Sequence, residues 1–236
     1  MSKLLSFRLW GDYAHFKKYY TTTSPLTFEF PPPPTLLGII SAIIGLDKDE
    51  YLSYFQNPDD FLLSVCIDQP VKKVRWSQNL IDTKHHFWKI YNRTQIRMEF
   101  LKDAAFVVYF YHNDSSVYSR LKEHLEKHES IYSICFGLSE LLVNFEYFGE
   151  LNYKIKSSNK WIHLDSVLPV SRLLNENAID LVTDREIFKV NYPIWMARDR
   201  VVTKREDVLF ERTANPIRCV VKNFCETDKG NRIVFF

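Results

Sequence analysis

The chain has 236 residues, 46% hydrophobic and 25% charged, with a net charge of +2. These proportions exclude a disordered or collagen-like chain and leave room for a sizeable core in one domain or two small ones. The longest apolar run, Leu36 to Leu46, falls short of the roughly 20 residues that cross a bilayer. Cys66, Cys135, Cys219 and Cys225 form no C-x-x-C pair, and no histidine spacing suits zinc. No metal or other cofactor is therefore expected. The thiols read as reduced and mostly buried, and with no signal-like segment in view the expectation is a cytoplasmic protein with no membrane contact.

In chain order, Leu4 to Trp10 alternates as a first strand. A loop dense in aromatics, Lys and Thr follows, then Pro31 to Pro34, which lack the N–H needed to pair as a central strand. Thr35 to Gly45 reads as a buried helix, Lys48 to Gln56 as a short extra helix, and Phe61 to Asp68 as a second strand ended by Pro70. Val71 to Arg97 holds seven basic residues and one acid, Asp82, so the rest of the chain is net acidic. Apolar and aromatic residues within this stretch suggest a hairpin, with a polar turn near Ser77 to Asp82. Glu99 to His112 is strongly β-forming. Ser115 to His128 is an amphipathic helix, with Val117, Leu121 and Leu125 on one face and Asn113-Asp114 as cap. Leu141 to Lys156 reads as another strand, bent at Gly149. After Trp161, short β-like runs (Phe188 to Tyr192, Val208 to Phe210, Ile217 to Phe224, Arg232 to Phe236) alternate with polar turns.

The order is β–α–β–(hairpin)–β–α–β. It predicts an α+β fold with a ferredoxin-like, RRM-like (βαββαβ) core over residues 1–156. A basic β-hairpin is inserted at about 70–98, and a smaller β-rich region occupies 157–236.

Three segments carry the chemistry of nucleic-acid binding. The loop His15 to Thr23 offers two ammonium groups, hydroxyls and stackable rings, the elements that hold single-stranded RNA. Its rings are expected to pack beneath it while Lys and Thr face a ligand. The basic stretch reads either as a phosphate-binding surface or as a hairpin kept soluble by its charge. Gly137, in the turn Cys135 to Glu140, either lets a backbone approach closely or serves a plain turn. Within the hairpin, Lys84, His85, His86 and Tyr91 have the residue types of a metal-free ribonuclease site: base, acid and cation. Adjacent histidines on a strand point to opposite faces, so RNA binding is the preferred reading there. Arg198-Asp199-Arg200 and Lys204-Arg205, followed by Glu206 and Asp207, suit a solvated loop, a protein contact or RNA. No P-loop, paired-carboxylate metal site, G-x-S-x-G or H-E-x-x-H motif occurs.

Several blocks also resemble one family. GDYAHFKK spans Gly11 to Lys18, TTTSPLT spans Thr21 to Thr27, and PPPTLLGIISAIIGL spans Pro32 to Leu46. RTQIR at Arg93 to Arg97 and GLSELL at Gly137 to Leu142 follow in the same order, with a looser match at Leu168-Pro169. Together they resemble the CRISPR-associated RAMP family whose members cap the 5′ handle of guide RNA in type I Cascade complexes (the "Cas five" family), in its type I-B, Hmari-like branch. The resemblance implies a ferredoxin-like core, a projecting thumb that corresponds to the basic hairpin, and a glycine turn at Gly137. It implies a non-catalytic subunit in antiviral defence whose partners are the crRNA 5′ handle, a backbone subunit ("Cas seven" family), a large subunit ("Cas eight" family) and, through the assembled complex, target DNA. The expected RNA contacts are His15, Lys17, Lys18, Tyr19, Thr21 and Thr22 of the loop, Lys84, His85, His86, Trp88, Arg93, Gln95 and Arg97 of the hairpin, and Gly137 and Ser139 of the turn. The type I-C branch itself cuts precursor crRNA. The alternative is therefore a metal-independent endoribonuclease using Lys84, His85, His86 and Tyr91.

Overall fold

A computed structural model describes residues 3–48, 50–81, 88, 93–157, 159–181 and 185–236. The chain is α+β, built mainly of strands, with two α-helices among the described residues. The first strand, β1 (Lys3–Ala14), is the centre of a seven-stranded sheet. Leu5, Phe7 and Leu9 alternate along it and are fully buried on one face.

Helix α1 (Pro33–Ile44) begins two residues before the expected start. Pro33 and Pro34 occupy its first turn, where a backbone N–H has no partner to lose. Its end is set by Gly45 in the left-handed region at φ 73. The expected helix at 48–56 is instead a 3₁₀ turn over Tyr51–Phe55, followed by a second at Pro58–Asp60. Asn57-Pro58 cuts this segment short of a cooperative α-helix. Next come β2 (Phe61–Ile67), β3 (Lys72–Ile81) and the twenty-residue β4 (Arg93–His112).

β2 and β3 lie one after the other along the same edge of β4, both antiparallel to it. One half of β4 therefore pairs within the core and the other half forms the thumb. The thumb does not turn at Ser77. Ser77 pairs with Arg97, and the ladder continues to Ile81 opposite Arg93. Ser77, Gln78 and Asn79 look like turn residues in sequence, but a projecting ribbon buries neither face fully and accepts polar side chains along its length.

Helix α2 (Ser115–Lys127) is capped by the Asp114 carboxylate, which accepts from the Ser116 N–H at 2.8 Å. It buries Val117, Leu121 and Leu125 as expected. β5 (Asn144–Lys156) pairs with β1, with an irregularity in register beside Gly149 at φ 111. The sheet order is β5-β1-β4-β2, with all neighbours antiparallel. Both helices pack on its Phe7 face.

The later strands are β6 (Ile162–Leu164), β7 (Leu168–Pro169), β8 (Ile187–Met196), β9 (Val202–Glu211), β10 (Ile217–Cys219), β11 (Phe224–Thr227) and β12 (Arg232–Ile233). The expected run 217–224 is two strands with a break between them. β11 extends the main sheet by pairing with β5, and β12 pairs with β11. β8 and β9 form a hairpin whose Tyr192, Ile194, Val208 and Phe210 enter the same core as α1. No helix among the described residues is long and apolar enough to cross a membrane.

Candidate nucleic-acid interface

The loop after β1 folds back on itself. Lys17 bridges to Thr27, and Lys18 N–H donates to the Leu26 carbonyl at 2.8 Å. The returning segment runs beside β4, where the Glu99 N–H donates to Pro25 O at 3.0 Å. The loop is thereby pressed against the base of the thumb. The Gly137 turn closes on it from the other side: the His15 N–H donates to Phe136 O at 2.9 Å. Between these walls lies a cleft of about 750 Å³. Its lining includes His15, Lys17, Tyr19 and Thr22 from the loop, Gln78, Leu80, Ile96 and Met98 from the thumb, and Thr35 at the start of α1. Gly137, with Pro193, Met196 and Val202 of the β8–β9 hairpin, completes it. A second hollow of about 400 Å³ shares Pro34, Thr35, Gly137 and Met196 and continues along Gly38 and Ala42 of α1.

Gly137 is required by close approach. It sits at φ 93, and a Cβ there would stand 2.0 Å from the His15 carbonyl oxygen. The backbone that comes close is the protein's own loop. His15 is 2% exposed. Its Nδ1 lies 2.7 Å from Glu99 O, and since a carbonyl only accepts, the proton is on Nδ1. Nε2 is then a buried acceptor without a hydrogen-bond partner among the described residues. Burial pushes the imidazole below its usual value despite the bond to Glu99, so it is neutral.

At the thumb base, two carboxylates collect three cations. Glu29 Oε1 is 3.1 Å from Lys18 Nζ and 2.8 Å from Lys73 Nζ. Glu99 Oε1 is 3.0 Å from Lys73, and its Oε2 accepts from Arg75 Nε at 3.1 Å and Nη2 at 2.9 Å. Tyr192 O–H donates to Glu29 Oε2 at 3.1 Å, while its ring stacks on Phe30 at 4.0 Å. Burial alone raises the Glu99 carboxyl, but hydrogen bonds from Lys73 and Arg75 outweigh it and hold it below the usual carboxylate range. Burial alone lowers Lys73, and Glu29 and Glu99 more than offset it, so this ammonium is raised.

The cleft gathers only part of the expected set. His15, Lys17, Tyr19, Thr22 and Gly137 line it. Lys18 does not: it is 7% exposed and committed to Glu29. Thr21 is used internally, donating to Lys18 O and accepting from the Leu26 N–H. The Ser139 hydroxyl donates to Glu140. Arg93, Gln95 and Arg97 alternate with Ile96 and Met98 and so occupy the thumb face opposite the one that lines the cleft. They are exposed, and neither arginine has an ion-pair partner among the described residues. Trp88 is 85% exposed. Lys84, His85, His86 and Tyr91 lie outside the described residues. The basic strip is also less free than its composition suggests, since Lys72 pairs with Asp103 as Lys73 and Arg75 pair with the glutamates. Sequence reasoning left Arg205 out of the site, yet its guanidinium carbon stands 4.4 Å from the Tyr19 ring centroid. The only signal was the short basic cluster around it.

Residues 4–160 match the family described as CRISPR-associated protein (Cas_Cas5), and the chain belongs to that family. A CRISPR protein from Archaeoglobus fulgidus, solved by crystallography, has the same fold with a TM-score of 0.51. It is 16% identical, over 98% of this chain and 97% of that one. A chain of a CRISPR RNA-guided surveillance complex matches at a TM-score of 0.50 and 11% identity, over 92% and 91% of the two chains. A chain of the type III-B Cmr-beta complex, bound to cognate target RNA and AMPPnP, matches at 0.51 and 10%, over 90% and 86%. At these identities the likeness is one of fold. No curated protein matches the chain.

Proposed function

We propose that this protein is a non-catalytic RNA-binding subunit of a type I-B CRISPR surveillance complex (Cascade), holding the 5′ handle of crRNA at one end of the assembly. The observation that carries the reading is convergence. In a chain of the Cas_Cas5 family, the aromatic–basic loop, the thumb and the Gly137 turn border one cleft. On this reading β1, α1, β2, β4, α2 and β5 make up a split βαβ, ferredoxin-like core over residues 1–156, with β3 belonging to the inserted thumb, and the sheet order β5-β1-β4-β2 supports it. Residues 157–236 are then the smaller C-terminal region, and its Pro193, Met196 and Val202 line the cleft. Two relatives by fold are chains of a CRISPR RNA-guided surveillance complex and of a Cmr-beta complex bound to cognate target RNA. On this reading the backbone subunit, the large subunit and target DNA are partners reached in the assembled complex, and the role is antiviral defence in the cytoplasm.

The test is incubation of the purified protein with RNA of its own CRISPR repeat in EDTA, read on one gel for shift and cleavage. A shift without cleavage is expected. Site-specific cleavage leaving a 2′,3′-cyclic phosphate would overturn the non-catalytic part and turn attention to Lys84, His85, His86 and Tyr91. No shift at all would overturn the RNA-binding part.

A further inference from the structure

Arg205 belongs to β9, far in sequence from the loop it touches, and its environment is unusual for a surface arginine. It pairs across the hairpin with Pro193, which lines the cleft, so both side chains leave the same face of the ribbon. Its acidic neighbours are engaged elsewhere. Glu206 lies 3.8 Å from Lys204 and accepts from the Ser171 N–H, and Asp207 accepts from Asn191. Arg205 has no carboxylate partner among the described residues, and the contact it makes is the Tyr19 ring at 4.4 Å. Tyr19 is 52% exposed and lines the cleft, and Tyr20, 58% exposed, meets it edge-on at 5.1 Å. Lys17 is exposed beside them on the same lining, without an ion-pair partner among the described residues.

We propose that Tyr19 and Arg205 form a stacking site for one unpaired nucleobase at the mouth of the cleft. The inference rests on the RNA-binding reading and deepens it. A guanidinium backed by an aromatic ring on one side presents its other face, planar and weakly hydrated, to solvent. Unstacked RNA bases are held on such planes. Lys17 then meets the adjoining phosphate as a point charge. The C-terminal hairpin thereby becomes a direct contributor to RNA binding rather than a support. Stacking needs only a π-face, so the site takes any base and reads position rather than sequence.

The experiment is an abasic scan. The handle oligoribonucleotide is made with one abasic nucleotide at a time, and each is titrated against the wild-type protein, Arg205→Ala, Arg205→Lys and Tyr19→Phe. For the wild type, one position is expected to lose affinity on the order of 10-fold when its base is removed. At that position Arg205→Ala should bind the abasic and intact RNAs equally, and Tyr19→Phe should keep the wild-type difference. Arg205→Lys keeps the charge but not the plane, so it should also lose the difference while retaining the wild-type salt dependence. Arg205 is exposed, and unchanged thermal midpoints in both variants exclude misfolding as the cause. An abasic profile of Arg205→Ala identical to wild type, or full rescue by lysine, would overturn the stacking site while leaving handle binding intact. Failure of the wild type to bind the handle would overturn both.

Discussion

The base and the outer part of the thumb carry the same residue types to opposite ends. At the base, Lys73 and Arg75 on β3 and Lys18 in the loop are gathered by Glu29 and Glu99 beneath Tyr192. Farther out, Arg93 and Arg97 on β4 project from an exposed ribbon with no ion-pair partner among the described residues, the nearest acid on their face, Glu99, being taken by Lys73 and Arg75. The first group ties the returning loop to the base of the thumb, because its carboxylates come from that loop and from β4 itself. The second group is left with uncompensated electrostatic potential, the condition for binding a polyanion. A basic run in a sequence therefore mixes cations that build the protein with cations that meet its ligand. Only the placement of a few glutamates separates them.

The sharpest way to break this contrast is Glu29→Ala. It strands the buried Lys18, takes away one of the two carboxylates that hold Lys73 and removes the acceptor of Tyr192, and a cost of about 3 kcal/mol is expected in urea unfolding. A loss below about 1 kcal/mol would mean the network is slack. Next is Gly137→Ala. The left-handed backbone and the His15 carbonyl leave no space for a methyl group, so about 2 kcal/mol or more should be lost. Affinity for RNA should fall with it, because the same turn closes the cleft.

Stability should also depend on pH through two groups at the junction of loop and thumb. The folded state lowers His15 from its usual 6.5, so the unfolded chain binds the extra proton and stability falls as pH drops below 6.5. The folded state also lowers Glu99 from 4.5, and the stability this supplies is lost as pH falls below that value. Urea midpoints measured across pH should show both declines. His15→Gln should abolish the upper one and Glu99→Gln the lower. The smallest effect on stability is expected where the largest effect on binding lies: Arg93→Ala with Arg97→Ala should move unfolding by less than about 0.5 kcal/mol.

The strands of the first 156 residues and both helices were legible because periodicity and caps act locally: Val117, Leu121 and Leu125 declare a face, and Asp114 declares a start. That Lys17, Tyr19 and Gly137 belong together was legible only as a candidate, from residue types that RNA-binding loops use, and the structure brings these three to one cleft. What escaped reading depended on contacts distant in sequence. Lys18 looks identical to Lys17 until Glu29 arrives beneath it. Ser77 to Asn79 look like a turn until β4 pairs with them. Arg205 lies in a mixed-charge segment, and its placement over Tyr19 depends on a hairpin that closes more than 180 residues later in the chain. The opposite facing of Arg97 and Met98 follows from strand alternation, and was hidden only by the expected early turn.

The most direct test of the partition of cations is the salt dependence of handle binding, measured as log Kobs against log salt for the wild type and for Lys17→Ala with Arg93→Ala and Arg97→Ala. Removing one cation from a phosphate should reduce the slope by about 0.7 for single-stranded RNA, so the triple variant should show a slope shallower by about 2 with its unfolding midpoint unchanged. An unchanged slope and affinity would contradict the account and return these three residues to the role of surface charge.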